Sequence, residues 1–392
     1  MADFIRIDEF DPLPVERPGT VAELGTLVTR TRARKHGLYP VGGRTALDFG
    51  LLPIKPGAAC DTTALSGVID YPARDMTITA RAGTTFAALR AELAKEGQWL
   101  PIDVHSPETA TLGGAVAVNA SGPRRLGHGT LRDYVIGISF VTDDGVEVKA
   151  GGRVVKNVAG YDLMKLQIGA LGTLGVVTQL TLKVKPKPEA SAAVVFGCAP
   201  DALASVLDTI AASKTRPVAV ELLNQAAWRT AGIGATSSGP DAAWVFVVGF
   251  EEKGVTVRWQ AAALLNELKS APIRHATELP DTSALDALTA LQGRPGSRFL
   301  AKLSVLPSKV AEAVARQPAG AAVHAHALSG VIWVHSDEAP PDGAVLHRCP
   351  PERKKGLPIW GAVPPGWELM RHIKKTLDPD NVFNPGRLFG DV

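Results

Sequence analysis

The 392-residue sequence has few cysteines, few tyrosines and no strong excess of charge of either sign. Its three cysteines, Cys60, Cys198 and Cys349, are far apart, and no C-x-x-C motif occurs. This scarcity excludes a disulfide framework, and it excludes a four-thiolate iron–sulfur or zinc site held by this chain alone. The net charge of +3, with no basic run that includes aromatic residues, argues against a nucleic-acid-binding protein.

Long apolar runs are also missing from the sequence. No stretch reaches the roughly 18 uninterrupted apolar residues that indicate a membrane-spanning helix. Residues 1–20 contain several acidic side chains where a secretory signal would have an apolar core. We therefore expect a cytoplasmic protein without a transmembrane segment.

Glycine is the residue that the sequence has in excess. It accounts for 39 of 392 residues, about one in ten, against a usual share near 7%. The glycines concentrate at residues 40–50, 106–130 and 169–175, each beside a predicted strand. Because glycine lacks a Cβ, the backbone N–H groups of such loops can close around an anion. Three such loops favour a site for a diphosphate that carries a planar ring, and tight turns without a ligand are the alternative.

Two common nucleotide-binding motifs do not match these loops. Residues 169–175 have the pattern G-x-x-G-x-x-G and precede a predicted strand. They therefore lack both the spacing and the strand–turn–helix context of the dinucleotide-binding fingerprint. No G-x-x-x-x-G-K-[S/T] segment occurs, so a P-loop nucleotidase is not supported either.

Periodicity predicts two regions of mixed secondary structure. In the first, the predicted elements are a helix capped by Thr20, a strand at 76–82, a helix at 86–96 and a strand at 175–184. The Lys-Pro-Lys-Pro sequence at 185–188 indicates a linker. After it, strands and helices follow in an order that loosely fits the ferredoxin-like layout. A final helix is predicted at 367–377.

The glycine loops and their flanking residues resemble flavoproteins of the vanillyl-alcohol oxidase / p-cresol methylhydroxylase (PCMH) class. Within this class the chain is similar to the FAD-binding subunit, or E subunit, of bacterial glycolate oxidases. The likeness is good over residues 5–188 and 367–390 and weak over 189–366. The segments that carry it are 40–47, 110–122, 132–137, 156–163, 172–178 and 377–388.

The resemblance implies an α+β fold with three parts. Residues 1–188 would form a PCMH-type FAD-binding domain of two subdomains. Residues 189–340 would form a smaller, ferredoxin-like cap domain on the substrate side. Residues 341–392 would form a C-terminal segment that returns to the FAD-binding domain.

The resemblance also implies FAD as the cofactor and a set of residues that bind it. The first loop would bind the diphosphate with its backbone amides, the second loop would flank it, and Gly175 and Val177 would lie beside the adenine or ribose. Relatives with covalent flavin have a histidine in the first loop, but Arg44 or Thr45 stands at that place here, so we expect non-covalent FAD. The expected cofactor-binding residues are Pro40, Val41, Gly42, Gly43, Arg44, Thr45, Ala46, Thr111, Gly113, Gly114, Gly175, Val177 and Asn384.

Catalytic residues are harder to identify. Relatives that oxidise D-lactate or similar acids hold a metal with cap-domain histidines and a glutamate. Here His324 and His326 match in part, and no second histidine–glutamate element follows. Residues i and i+2 of a strand point the same way, which is compatible with a ligand pair. We nevertheless expect a structural role and no metal, and we regard His324, His326 and Tyr161 as the only catalytic candidates.

The function that the resemblance implies is an FAD-dependent oxidoreductase acting on a CH–OH group. It would oxidise glycolate, or another small 2-hydroxy acid, by hydride transfer to FAD. The implied partners are the larger FAD subunit and the iron–sulfur subunit of a glycolate oxidase-like complex, which would place the chain peripherally at the inner membrane. Two alternatives stay open: a free-standing FAD oxidase or dehydrogenase of another hydroxy acid or alcohol, and a non-catalytic assembly subunit with a retained flavin fold.

Overall fold

A computed structural model describes residues 3–152, 162–233, 242–294, 296–338 and 340–391. The chain forms two compact units of mixed helix and sheet. The first unit consists of residues 1–120, 130–186 and 349–392, and the second of residues 121–129 and 187–348. In the described parts of the chain, every helix is too short or too polar to cross a bilayer.

The unit boundaries differ in two places from those expected from the sequence. The return to the first unit comes at Cys349 and not at 341, because Val345–Arg348 is a strand of the second unit's sheet. Residues 121–129 cluster with the second unit, although the sequence places them in the FAD-binding domain. The buried side chain of Arg124 explains this, since its Nε lies 2.8 Å from Glu251 Oε1 inside the second unit.

The elements of residues 3–186 alternate short strands with short helices. The strands are β1 (Phe4–Ile5), β2 (Leu13–Glu16), β3 (Gly37–Val41), β4 (Gly57–Asp61), β5 (Val68–Asp70), β6 (Thr77–Arg81), β7 (Gln98–Trp99), β8 (Val135–Val141), β9 (Glu147–Gly151), β10 (Val176–Lys183) and β11 (Lys185–Pro186). The helices are α1 (Val21–Ala33), α2 (Phe86–Ala94), α3 (Leu112–Val118), α4 (Arg125–His128, in the second unit), α5 (Leu131–Tyr134) and α6 (Met164–Gln167).

Two larger sheets and one small one organise the first unit. The four-stranded sheet has the order β1-β2-β4-β3, in which β4 pairs in parallel with β2 and β3. The five-stranded sheet is antiparallel, with the order β5-β6-β10-β8-β9, and β11 pairs with β7. The expected cap of the first helix is present, because Thr20 Oγ1 accepts a hydrogen bond from Glu23 N at 3.1 Å. Helix α1 then buries Leu24, Leu27 and Val28 in the core of the first unit.

The second glycine-rich segment contains a helix that the sequence does not predict. Thr111 caps α3, and Asn119 ends it in the left-handed conformation at φ +49°. Glycine at two successive positions of α3 opposes helix formation. Tertiary contact outweighs that preference, since a Cβ at Gly113 would lie only 3.0 Å from Ala82 Cβ.

The second unit is built on one eight-stranded antiparallel sheet. Its strands are β12 (Ala190–Cys198), β13 (Ala219–Asn224), β14 (Trp244–Glu252), β15 (Ile273–Leu279), β16 (Phe299–Ser304), β17 (Ala322–His326), β18 (Val331–Ser336) and β19 (Val345–Arg348). Its further helices are α7 (Leu203–Ala211), α8 (Gln225–Ala231), α9 (Gly254–Glu267), α10 (Ser283–Leu291) and α11 (Val310–Ala315). Helices α12 (Pro351–Lys354) and α13 (Trp367–Leu377) belong to the first unit.

The strand order of this sheet is β15-β12-β14-β13-β17-β18-β16-β19. The first four of these strands, with α7 and α9, complete a ferredoxin-like half by themselves. The expected ferredoxin-like layout is therefore present. It is complete at β15, earlier in the chain than the sequence suggests, and β16 to β19 extend the sheet. Strand β14 lies inside the sheet, and its residues are buried and apolar except for the last two, Glu251 and Glu252.

Candidate functional site

Two adjoining cavities of the first unit contain the expected cofactor-binding residues. They share Pro40, Val41, Gly42, Gly114, Ala117 and Leu171. One, here called the Arg44 cavity, extends to Arg44, Thr45 and Asn384. The other, the Gln167 cavity, extends to Thr62, Gln167, Gly175 and Val177. All of the predicted cofactor-binding residues except Thr111 line one cavity or both.

The first glycine turn follows β3 and packs tightly against the segment before α3. A Cβ at Gly43 would lie 1.7 Å from the carbonyl oxygen of Thr109, and one at Gly42 would lie 2.1 Å from Thr111 Oγ1. Both distances are far inside van der Waals contact. A side chain at position 43 would therefore require backbone movement, and one at position 42 would displace the Thr111 hydroxyl. The turn therefore presents backbone to the shared part of the two cavities.

Thr111 lines neither cavity but contacts residues that do. Its side chain is 1% exposed, and its Oγ1 accepts a hydrogen bond from Gly114 N at 3.3 Å. Gly113 N in turn donates to the carbonyl of Ala82 at 2.8 Å. Thr111 thus fixes the start of α3 against the first turn, and the structure gives it a positioning role.

The C-terminal segment braces the same turn. Asn384 donates through Nδ2 to the carbonyl of Leu171 at 2.6 Å, and its backbone N donates to Leu38 at 2.9 Å. The buried guanidinium of Arg387 donates to the carbonyls of Leu47 and Phe49 at 2.5 and 2.6 Å. Sequence reasoning included Arg387 in the C-terminal motif but did not identify it as a site residue.

The charge of Arg44 is partly balanced by the carboxylate of Asp61. Burial by itself raises the pKa of Asp61, but hydrogen bonds from Thr63 and Arg17 outweigh it and hold the pKa below its usual range. Arg44, in the left-handed conformation at φ +60°, places a guanidinium nitrogen 3.8 Å from the Asp61 carboxylate. Arg44 is exposed, so it can also contact a second anion.

These features fit FAD. The glycine turn offers backbone amides with no side chain in the way, which suits a diphosphate. The two cavities share part of their lining and otherwise have different linings, which suits the two different halves of a dinucleotide. The residues that would hold FAD are therefore those of the first turn, Gly113 and Gly114, the segment at Gly175 and Val177, and Asn384.

The catalytic candidates His324 and His326 lie on β17 in the second unit. Both are buried and point at one carboxylate: His324 Nε2 lies 2.5 Å and His326 Nδ1 2.7 Å from Glu221 Oε2. Burial by itself raises the pKa of Glu221, but the two histidines outweigh it and lower the pKa to about 2. Burial lowers the pKa of His324, so a neutral imidazole and an ionised Glu221 are favoured. Glu221 is 103 residues from His324 in sequence, so spacing gave no signal for it.

The bonding of His326 does not suit a resident metal. Trp333 donates from Nε1 to His326 Nε2 at 3.3 Å. An indole nitrogen can only donate, so His326 Nε2 accepts and the ring proton stays on Nδ1, toward Glu221. A metal at Nδ1 would need that proton to leave, and Nε2 could not receive it while Trp333 donates there. Glu221, His324 and His326 lie close enough together to hold a metal, but this donor set does not fit one, and the expected absence of metal stays a prediction.

Next to Trp333, the second unit holds a partly buried cation. Lys302 Nζ lies 5.7 Å from the centroid of the Trp333 ring. Partial burial, with the charge of Arg125 nearby, lowers the pKa of Lys302 to about 8. No carboxylate among the residues that the structure describes forms an ion pair with Lys302. A partly buried amine beside a second cation favours an anionic ligand. The third catalytic candidate, Tyr161, lies outside the described residues.

Two protein families match successive parts of the chain. Residues 12–151 match the FAD binding domain family, and residues 185–337 and 362–388 match the C-terminal domain of FAD linked oxidases. The fold is similar to a solved structure of alkyldihydroxyacetonephosphate synthase, with a TM-score of 0.70 over 96% of this chain and 76% of that chain. At 20% identity this likeness concerns the fold alone.

Two relatives illustrate the range of similarity. The glycolate oxidase subunit GlcE of Escherichia coli is 43% identical over 136 residues, which cover 34% of this chain but only 39% of the relative. The D-lactate dehydrogenase of Archaeoglobus fulgidus is 28% identical over 99% of this chain and 96% of the relative. The chain therefore carries both the FAD-binding domain and the C-terminal domain of the FAD linked oxidases, and FAD is its cofactor.

Proposed function

We propose that this protein is an FAD-dependent oxidoreductase that oxidises a small 2-hydroxy acid, with glycolate as the first candidate, as the FAD-binding subunit of a larger complex. The observation that carries the substrate class is Lys302, a partly buried amine without a carboxylate partner among the described residues, next to Arg125 and Trp333. A carboxylate is the group of a 2-hydroxy acid that such a pair of cations would recognise.

FAD supplies the electron acceptor for this oxidation, since it can take up a hydride from carbon. The substrate then loses the hydride from its CH–OH carbon and the proton from its hydroxyl group, which gives the 2-oxo acid. The residues of this chain contribute position and charge: the first turn and Asn384 hold the cofactor, and Lys302 with Arg125 would hold the carboxylate.

His324 and His326 do not fit the role of the base that takes up the hydroxyl proton. Each is at most 2% exposed, and each donates to Glu221. The remaining nitrogen of His326 is occupied by Trp333. We assign both histidines a positioning role: with Glu221 they hold the Trp333 indole, against which Lys302 lies.

The proposal of a complex rests on the similarity to a glycolate oxidase subunit. The expected partners are a larger FAD subunit and an iron–sulfur subunit, and the association would be peripheral at the membrane. The three cysteines of this chain are buried and cannot hold a four-thiolate cluster, so a cluster that receives the electrons would lie on another chain.

The test is anaerobic reduction of the bound flavin, followed by its absorbance. The flavin-loaded chain is mixed with glycolate, D-lactate or D-2-hydroxyglutarate, alone and after co-expression with the partner subunits. Reduction only with partners supports the proposed complex, and reduction by the isolated chain supports a free-standing enzyme. Bound flavin that no hydroxy acid reduces in either preparation contradicts the proposal and favours an assembly subunit.

The role of Lys302 is tested in the preparation that shows activity. Lys302→Met should raise KM for the hydroxy acid about tenfold or more with a smaller change in kcat, because an interaction with the substrate carboxylate is lost in ground and transition states alike. Lys253→Met, at an exposed lysine of the same unit, is the control and should leave KM unchanged. An unchanged KM in Lys302→Met would remove Lys302 from the substrate site.

A further inference from the structure

The Gln167 cavity contains a buried polar atom without a hydrogen-bond partner among the described residues. Gln167, at the end of α6, is 2% exposed and lines this cavity. Within the part of the chain that the structure describes, its Oε1 has no hydrogen-bond donor. Native proteins satisfy the large majority of their buried acceptors, because an unsatisfied one loses its hydration without replacement.

The orientation of the Gln167 amide follows from its one contact. Nε2 lies 3.4 Å from the carbonyl oxygen of Leu174, which can only accept a hydrogen bond. The amide therefore turns its NH₂ group toward Leu174 and leaves Oε1 as the group in need of a donor. A ligand that satisfies Gln167 must bring an N–H or O–H.

The rest of the lining restricts the ligand further. Around Gln167 the cavity presents apolar side chains and glycine backbone, among them Leu171, Val177 and Gly175. Thr62, its other neutral polar side chain besides Gln167, already uses its hydroxyl proton on the carbonyl of Val41 at 3.1 Å. The lining thus suits a flat, mostly apolar ring that carries a hydrogen-bond donor at its edge.

The adenine base of FAD has this chemistry, since its exocyclic amine is a donor at the edge of a flat ring. The isoalloxazine ring has two carbonyl acceptors that need donors. The Arg44 cavity offers the guanidinium of Arg44 and the hydroxyl of Thr45, and the Gln167 cavity offers an acceptor. The two cavities meet at the glycine turn that suits the diphosphate, so one can take each half of the cofactor.

We propose that Gln167 is an adenine-reading residue: its Oε1 accepts a hydrogen bond from the exocyclic amine of FAD and makes the site selective for the adenine end of the dinucleotide. This inference concerns cofactor binding alone and goes beyond the proposed oxidation. It holds or fails whether or not the chain oxidises a hydroxy acid.

The test compares FAD with its hypoxanthine analogue, in which an oxygen replaces the exocyclic amine. Each is titrated into the flavin-free full-length protein, and binding is followed by quenching of flavin fluorescence. The native chain should bind the analogue about tenfold more weakly than FAD, because two acceptors then face each other. Equal affinity for FAD and the analogue would overturn the proposal without recourse to any variant.

A variant tests whether Gln167 causes the difference in affinity between FAD and the analogue. Gln167→Met keeps the length of the side chain and removes the acceptor, so FAD should bind about tenfold more weakly and the preference over the analogue should disappear. FMN, which lacks adenine, should bind the variant as well as it binds the native chain. A parallel loss of FMN affinity, or a retained preference for FAD, would show that Gln167 does not read adenine.

The control is Gln98→Met in the same unit. Gln98 is also buried, but both of its amide groups are paired, with Tyr71 and with the carbonyl of Ala73. Gln98→Met should lower the stability of the flavin-free protein and leave the ratio of affinities for FAD and the analogue unchanged. A changed ratio in this control would mean that loss of any buried glutamine alters the site indirectly, and the proposal would fall.

Discussion

The first unit builds its site from backbone, and the second unit builds its site from side chains. Around the glycine turn, the groups that face the cavities are amides exposed by missing Cβ atoms, held in place by Thr111, Asn384 and Arg387. On the sheet of the second unit, the polar groups are Glu221, the histidines of β17, Trp333 and Lys302, drawn from strands far apart in sequence. A site made of backbone groups can be predicted from a local sequence pattern. A site made of side chains depends on which strands pair in the folded chain.

The largest expected effect on FAD affinity comes from a substitution in the glycine turn of the first unit. In Gly43→Ala the new Cβ would meet the carbonyl of Thr109 at 1.7 Å, and neither segment can yield without shifting backbone. Overpacking of this kind costs about 1–3 kcal/mol, which corresponds to roughly 5- to 150-fold in FAD affinity if the bound form bears it. Flavin titration of the purified chain measures this loss.

The control for Gly43→Ala is Gly152→Ala, also in the first unit. A Cβ at Gly152 would meet nothing within 4 Å, and the residue does not have a positive φ. Its FAD affinity should match that of the native chain. If both variants bind FAD as the native chain does, FAD binding does not require a residue without a side chain at position 43.

A loss of stability, and not of FAD affinity, is expected in the second unit when the buried carboxylate is neutralised. Glu221→Gln removes the ionised acceptor shared by His324 and His326, and breaking a buried charged network costs about 3 kcal/mol in the free energy of unfolding. Chemical denaturation measures the change, and Glu252→Gln, at an exposed position of β14, should lie within about 0.5 kcal/mol of the native chain. FAD affinity should stay unchanged in both variants.

The pH dependence of this effect has a defined sign. The pKa of Glu221 is lowered from 4.5 to about 2 on folding, so its stabilisation is fully present above pH 4.5 and is lost as the pH falls toward 2. The difference between the native chain and Glu221→Gln should therefore shrink below pH 4.5. A difference that is constant down to pH 3 would contradict an ionised Glu221 in the folded protein.

A smaller effect on stability, which depends on pH, concerns Lys302. Its pKa is lowered from 10.5 to about 8 on folding, so the unfolded chain binds more protons between these values and stability should rise from pH 8 to 10.5. The rise attributable to Lys302 is on the order of 1–3 kcal/mol. It should be absent in Lys302→Met and retained in Lys253→Met, as measured by denaturation across this pH range. A rise of equal size in Lys302→Met would assign it to other groups.

The comparison of the units also explains what the sequence could predict. The apolar run before Lys185 predicted β10 within a residue or so, and Gly97 correctly marked the end of the helix that begins at Phe86. Strand β15 was missed because its side chains are largely exposed and polar, and it belongs to the sheet through backbone pairing with β12. Sequence patterns report burial, so an exposed edge strand leaves little trace.

The same reasoning applies to the site residues. The expected cofactor set rests on a local requirement, glycine at a close approach, and all but Thr111 of that set lines the two cavities. That these residues bind FAD stays a prediction. Glu221 and Trp333 gave no local signal, since their partners are brought to them by the pairing of β13 with β17 and of β17 with β18. Gln167 likewise stands among apolar residues, and only its unpaired oxygen in the folded chain marks it.

The bracing of the first turn by Asn384 and Arg387 has a consequence for the order of events during synthesis. The glycine turn is synthesised well before the residues that hold it in place, since Arg387 is 340 residues from Leu47 in sequence. The second unit, whose main segment ends at Arg348, can form before them. We therefore expect that capture of FAD follows the synthesis of Asn384 and Arg387, and that a nascent chain that stalls before them leaves the ribosome without flavin.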